Sequence, residues 1–174
     1  MKLRIKIDSE ENLPSLFLPD AVAKLESVFE AELALLCQAC QTYQKLENYA
    51  EIEVSVSFLD RAEMTGVNKQ YRGLDEPTDV LTFPLWEEEG LFTPPDFAQQ
   101  PFGMLPLGDI VICQEEAERE HASTPRLETL CLVLAHGFLH LLGWDHDTPE
   151  KEKLMWDRQE LLKFKLLNAV GEAF

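Results

Sequence analysis

A chain of 174 residues, 45% hydrophobic and 27% charged, suits one folded domain and argues against a disordered tract. Its 15 Lys and Arg stand against 32 Asp and Glu, a net charge of −17. That argues against a general binder of nucleic acid or anionic membrane, whose footprint is basic, so any polyanionic substrate must meet a local positive feature.

The opening MKLRIKIDSE alternates charged and apolar residues and lacks the apolar core of a secretory signal, which predicts a cytoplasmic protein. Leu3, Ile5 and Ile7 share one face of residues 2–8, the pattern of a half-buried strand. Pro19 and Asp20 open a long helical segment expected to run to about Leu46, with an apolar stripe from Val22 through Leu36. Cys37 and Cys40 form a CxxC within it. No second pair completes a tetrahedral set, so these two are read as helix and core residues, and with Cys113 and Cys131 as reduced thiols. IEVSVSF at 52–58 is the second strand. Asp60 and Glu63 have capping-box spacing and start a short helix carrying Asn68, Tyr71 and Arg72. Pro77 closes a turn before the third strand, 79–83, and GDIVIC at 108–113 is the fourth.

Residues 84–106 hold five of the ten prolines, with Trp86, Phe92, Phe97 and Phe102. An irregular loop insertion is expected there, about 85–106, its aromatics packing it down and Glu87, Glu88 and Glu89 forming a solvated patch. Thr124 is the expected N-cap of an apolar, buried helix, LETLCLVLAHGFLHLL, with Pro125 at its first position and Gly143 as its stop. A last helix follows Pro149, its buried side read as Leu154, Met155, Leu161, Leu162 and Leu166. Four strands and four or five helices in mixed order predict an α+β fold in a single domain over 1–174.

Three of the four histidines fall within eleven residues, HGFLHLLGWDH. His136 and His140, four apart on a helix, project from one face. A positive-φ turn at Gly143 brings His146 back to the same point. Three neutral imidazoles converging at ~2.0–2.1 Å from an ion, with a fourth position for water, make a catalytic zinc site, although imidazoles also suit other divalent transition metals. The spacing H-x3-H-x2-G-x2-H is that of metzincin proteases, but Gly137 stands where those enzymes place their glutamate base, and glycine takes no proton. Around this centre, Arg72 is either a phosphate clamp or a surface arginine paired to Asp75 or Glu76. Thr78 with Asp79, and Gly108 with Asp109, read as turn formers. Asp145 either orients a ligand histidine or caps a turn, and Trp144 reads as packing.

The blocks VNKQYRGLDEPTDVLTFP (67–84), LGDIVIC (107–113) and HGFLHLLGWDH (136–146) resemble the YbeY family, bacterial endoribonucleases and ribosomal RNA maturation factors. The resemblance implies a zincin-like α+β domain with a mixed four-stranded sheet, and one Zn2+ held by His136, His140 and His146. It implies cleavage of single-stranded RNA, small-subunit rRNA 3′-end processing and ribosome quality control. Arg72 matches the family arginine held important for activity, and Trp144 stands where many members have tyrosine. In the mechanism this implies, His136 belongs to the catalytic metal centre, Arg72 stabilises the transition state, and water or the RNA 2′-OH attacks. RNA would lie in a locally positive groove formed by Arg72, Lys69 and Arg61. A ribosome or ribosomal protein would supply targeting, with no membrane and no DNA among the partners. Two other readings stand beside it: a zinc peptidase drawing its base from Asp109 or Asp145, and a non-catalytic assembly factor with a structural metal.

Overall fold

A computed structural model describes residues 1–8, 14, 17–37, 40–96 and 103–171. In chain order the elements are β1 (Lys2–Ile7), α1 (Pro19–Leu36), α2 (Cys40–Leu46), β2 (Glu51–Phe58), α3 (Arg61–Arg72), β3 (Val80–Pro84), β4 (Glu87–Glu88), β5 (Leu91–Phe92), β6 (Met104–Ile112), α4 (Gln114–Glu120), α5 (Arg126–Leu141) and α6 (Pro149–Gly171). Four strands form a mixed sheet in the order β1-β2-β6-β3. β1, β2 and β6 run parallel, and β3 pairs antiparallel with β6 as an edge strand. The α+β class with a mixed four-stranded sheet is thus observed.

Alternation in the strands decides which face is buried. Leu3 and Ile5 of β1, and Ile52, Val54 and Val56 of β2, point to one side and pack with α1, α5 and α6. Phe29 of α1 and Phe138 of α5 meet there with ring centroids 4.1 Å apart. Burying each such side chain contributes about 1.5–3 kcal/mol. Across the sheet, Met64 of α3 packs on Leu81, Val111 and Cys113 in a smaller cluster. The Asp60–Glu63 capping box forms with both of its hydrogen bonds, which sets where α3 begins.

Several expected boundaries move. The helix predicted to reach Leu46 breaks after Leu36, where Cys37 is extended at ψ 122°, so α1 and α2 are separate. α4 was not expected, and these two changes give six helices among the described residues. α5 begins one residue later than predicted. Pro125, extended at ψ 140°, is its N-cap and accepts the Thr129 N–H, so Thr124 makes no cap. Within 85–106, β4 and β5 form a short hairpin. Trp86 donates to the Pro106 carbonyl at 2.6 Å and Phe92 is buried, whereas Phe97 and Phe102 lie outside the described residues. The acids Glu87, Glu88 and Glu89 are exposed, as expected.

The fourth strand starts at Met104, not Gly108, and the β2–β6 register shifts between Glu53 and Val54, a bulge. Gly108 lies inside this strand at φ 139°, not in a turn. A Cβ there would sit 2.2 Å from the Phe83 carbonyl oxygen, so only glycine lets β3 pair at this point. The buried side of α6 is Met155, Leu162, Leu166 and Val170, whereas Leu154 and Leu161 face solvent. Cys37, Cys113 and Cys131 are buried free thiols, and burial pushes Cys37 and Cys131 up to about 12. The Cys40 side chain lies outside the described residues. No helix among the described residues is long and apolar enough to cross a membrane.

Candidate metal centre

α5 places its histidines through its packing. Gly137 presses on the sheet: a Cβ would lie 2.8 Å from Ile110 Cγ2 and 3.2 Å from Thr82 Cγ2. With that side of the helix on β6 and β3, His136 and His140 open together beside the edge strand β3. α5 then ends in a Schellman motif. Gly143, at φ 77°, donates to the His140 carbonyl at 3.0 Å and Trp144 to that of Leu139 at 3.1 Å. This turn returns the chain and carries exposed His146 to the other two rings. The ring centroids are 4.5 Å (136–140), 5.5 Å (136–146) and 5.3 Å (140–146) apart.

One nitrogen from each ring lies within 4.8 Å of the others, and the Nε2 atoms of His136 and His140 are 3.0 Å apart. Tetrahedral coordination at ~2.0–2.1 Å sets neighbouring ligand atoms ~3.3 Å apart, so the pair needs little movement to share an ion. His136 Nδ1–H donates to Gln159 Oε1 at 2.8 Å, which leaves its Nε2 lone pair facing the cluster. Burial, first of all causes, lowers the His136 pKa, and the Gln159 hydrogen bond only partly opposes it. His140 falls to about 4, again chiefly through burial and then through the neighbouring His136 and His146. Both rings are therefore neutral at pH 7, the state in which an imidazole donates to a metal. The three imidazoles fit a divalent ion.

A cavity of about 420 Å³ opens over them, lined also by Tyr71, Arg72, Asp79 and Phe83. Arg72 is exposed and makes no ion pair with any described residue. The surface-pair alternative does not form: Asp75 takes Lys69 at 2.6 Å, and among the described residues no ion pair joins Arg72 to Glu76. A second space of about 290 Å³ adjoins it, sharing Arg72, Thr82 and His140 and reaching Trp144.

The wider positive groove is not what the structure contains. Lys69 is held by Asp75, and Arg61 reaches the buried Glu116 carboxylate at 3.2 Å, which Arg119 also holds. With those two paired to acids, Arg72 is, among the described residues, the cation facing the histidine cavity. Asp145 accepts the His146 backbone N–H at 2.8 Å, so it shapes the turn rather than holding a ring. Trp144 donates to the Leu36 carbonyl at 2.7 Å and is half-buried packing. Asp79 accepts the Val80 N–H, as expected of a turn former, and it also lines the cavity. Gln159 was missed. It stands 23 residues beyond His136 on another helix, and a lone glutamine between charged residues carries no signal.

The family model described as Endoribonuclease YbeY matches residues 21–166. The chain belongs to the YbeY family. Two of its YbeY relatives, each named Endoribonuclease YbeY, are close in length. That of Caldanaerobacter subterraneus subsp. tengcongensis is 40% identical over 137 residues, covering 76% of this chain and 86% of its own. That of Pelotomaculum thermopropionicum is 41% identical over 150 residues, covering 82% and 93%. The solution structure of TM1509 from Thermotoga maritima is 26% identical, with a TM-score of 0.51, covering 98% of this YbeY chain and 93% of its own.

Proposed function

We propose that this chain is a metal-dependent endoribonuclease that cuts single-stranded RNA, with zinc held by His136, His140 and His146. Its place is small-subunit rRNA 3′-end maturation and ribosome quality control in the cytoplasm, guided by the ribosome or a ribosomal protein. Family membership supports the reaction, and the convergence of three imidazoles beside a guanidinium that pairs with no described acid is the observation that carries the site.

A divalent ion held there supplies Lewis acidity toward a phosphodiester oxygen. Arg72 presents its planar fork to the same phosphate and stabilises charge as it builds on the phosphorus oxygens. Gln159 holds the His136 tautomer. Gln159→Leu removes that acceptor and is expected to weaken metal retention roughly 10–100-fold, read by titration with a competing chelator. Wild-type affinity in that variant would remove Gln159 from the role.

The peptidase reading has no glutamate at 137, where packing against Ile110 leaves no room for a side chain. Of the bases it would draw on instead, Asp145 accepts the His146 N–H and Asp109 does not line the histidine cavity. The deciding experiment is cleavage of an unstructured RNA, of its duplex and of casein by the purified protein. The expected result is cleavage of the single strand only, lost on chelation and regained with Zn2+. In parallel, Arg72→Ala keeps wild-type metal content while kcat falls roughly 10²–10³-fold. Casein cleavage, or RNA cleavage indifferent to chelation, overturns the proposal.

A further inference from the structure

Tyr71 ends the α3 surface beside Arg72 and is 61% exposed, large for an aromatic ring on a folded domain. Its ring meets that of Phe83 of β3 in a T-shaped contact, with centroids 4.8 Å apart and planes at 65°. Phe83 is itself half-buried and anchored to the small cluster of Met64, Leu81 and Val111. A ring braced by an anchored neighbour and still mostly exposed keeps a face open at a fixed position. Both rings line the cavity that holds the three histidines and Arg72.

The charge of that cavity says what the open ring is for. Among the described residues that line it, Arg72 is the one Arg or Lys and Asp79 is acidic, and the whole chain carries −17. Phosphate contacts alone therefore hold an RNA strand poorly here, because repulsion from the rest of the surface offsets them. Contacts blind to charge must supply the remainder, and a nucleobase stacked on an aromatic face is the one a single strand offers. In a duplex both faces of each base are covered by its neighbours.

We propose that Tyr71, braced by Phe83, is a stacking platform for an unpaired base flanking the phosphate at Arg72, and that it sets the preference for single strands. The proposal rests on the endoribonuclease reading of the same site. It makes Tyr71 a positioning residue: it locates the strand, while the chemistry stays with Arg72 and the metal centre.

The test compares wild-type protein with Tyr71→Phe and Tyr71→Leu, all loaded with Zn2+, on a short unstructured oligoribonucleotide and on its duplex. Tyr71→Leu keeps bulk and apolarity without a π-face. It is expected to raise KM about tenfold with kcat within about twofold, and to narrow the single-strand preference. Tyr71→Phe is expected to restore the wild-type KM. Equal thermal melting of the three proteins is expected from the exposure of this side chain, and wild-type KM in Tyr71→Leu overturns the platform. A lower kcat at unchanged KM overturns it equally. Both outcomes leave cleavage by the wild type intact, whereas failure of the wild type to cut RNA at all sinks the underlying endoribonuclease reading.

Discussion

Replacing His136 or His140 with alanine is expected to remove stoichiometric metal and to lower RNA cleavage by roughly 10³-fold or more, the equivalent of losing several kcal/mol of electrophilic stabilisation. Two imidazoles cannot close the site that three converge on, since their nitrogens already stand within 4.8 Å of one another as a set. Folding should survive the change at His140, because its ring lies at the cavity wall and its contacts are to the other histidines and to the Trp144 backbone in the turn that follows the helix. Elemental analysis and single-strand cleavage on the same folded preparation check this. Full metal and full activity in either variant would end the three-histidine account. At His136 the loss also strands the Gln159 carbonyl, so a modest fall in melting temperature accompanies it.

Gly137→Glu is the substitution that would write the metzincin signature into this chain, and the expected result is loss of the fold rather than a gain of proteolysis. Even Gly137→Ala sets a methyl 2.8 Å from Ile110 Cγ2 and 3.2 Å from Ile110 Cδ1. Overpacking of this kind costs about 1–3 kcal/mol, which lowers Tm by roughly 2–12 °C in a chain of this size. Glutamate adds a carboxylate wedged between α5 and the sheet with no partner, and soluble yield should collapse. Thermal melting of Gly137→Ala and the solubility of Gly137→Glu are the measurements. A stable, peptide-cutting Gly137→Glu would show that packing does not decide the residue here. The chemistry of the site and the packing of its helix are thus one constraint: α5 approaches β6 closely because position 137 has no side chain, and the same absence denies it a protease base.

Local signals in the chain were sufficient for much of this. The i, i+4 spacing of His136 and His140, the glycine bend at 143 and the Asp60–Glu63 cap all act within one or two turns, and each occurs as read. Errors gathered where local and distant preferences compete. Leu154 and Leu161 look as apolar as Met155 and Leu162, and only the angle at which α6 docks on α1 and α5 selects the buried pair. Helical character continued past Leu36 in composition, but the chain leaves helix at Cys37. Arg61 and Lys69 read as free cations because a sequence does not show which acid a flexible side chain will meet. Their partners, Glu116 and Asp75, lie 55 and 6 residues away.

The amino-acid order alone determined the metal-type histidine triad, the helix that displays it and the absence of a glutamate at 137, because these depend on helical period and side-chain chemistry. Only the folded chain decided what surrounds the triad. Gln159 arrives from α6, and Tyr71 and Arg72 from the end of α3. β3 comes as an edge strand whose approach to β6 requires Gly108. What sets those neighbours side by side is the burial of other, apolar residues on the same elements, Met64 of α3, Leu81 of β3 and Met155 and Leu162 of α6.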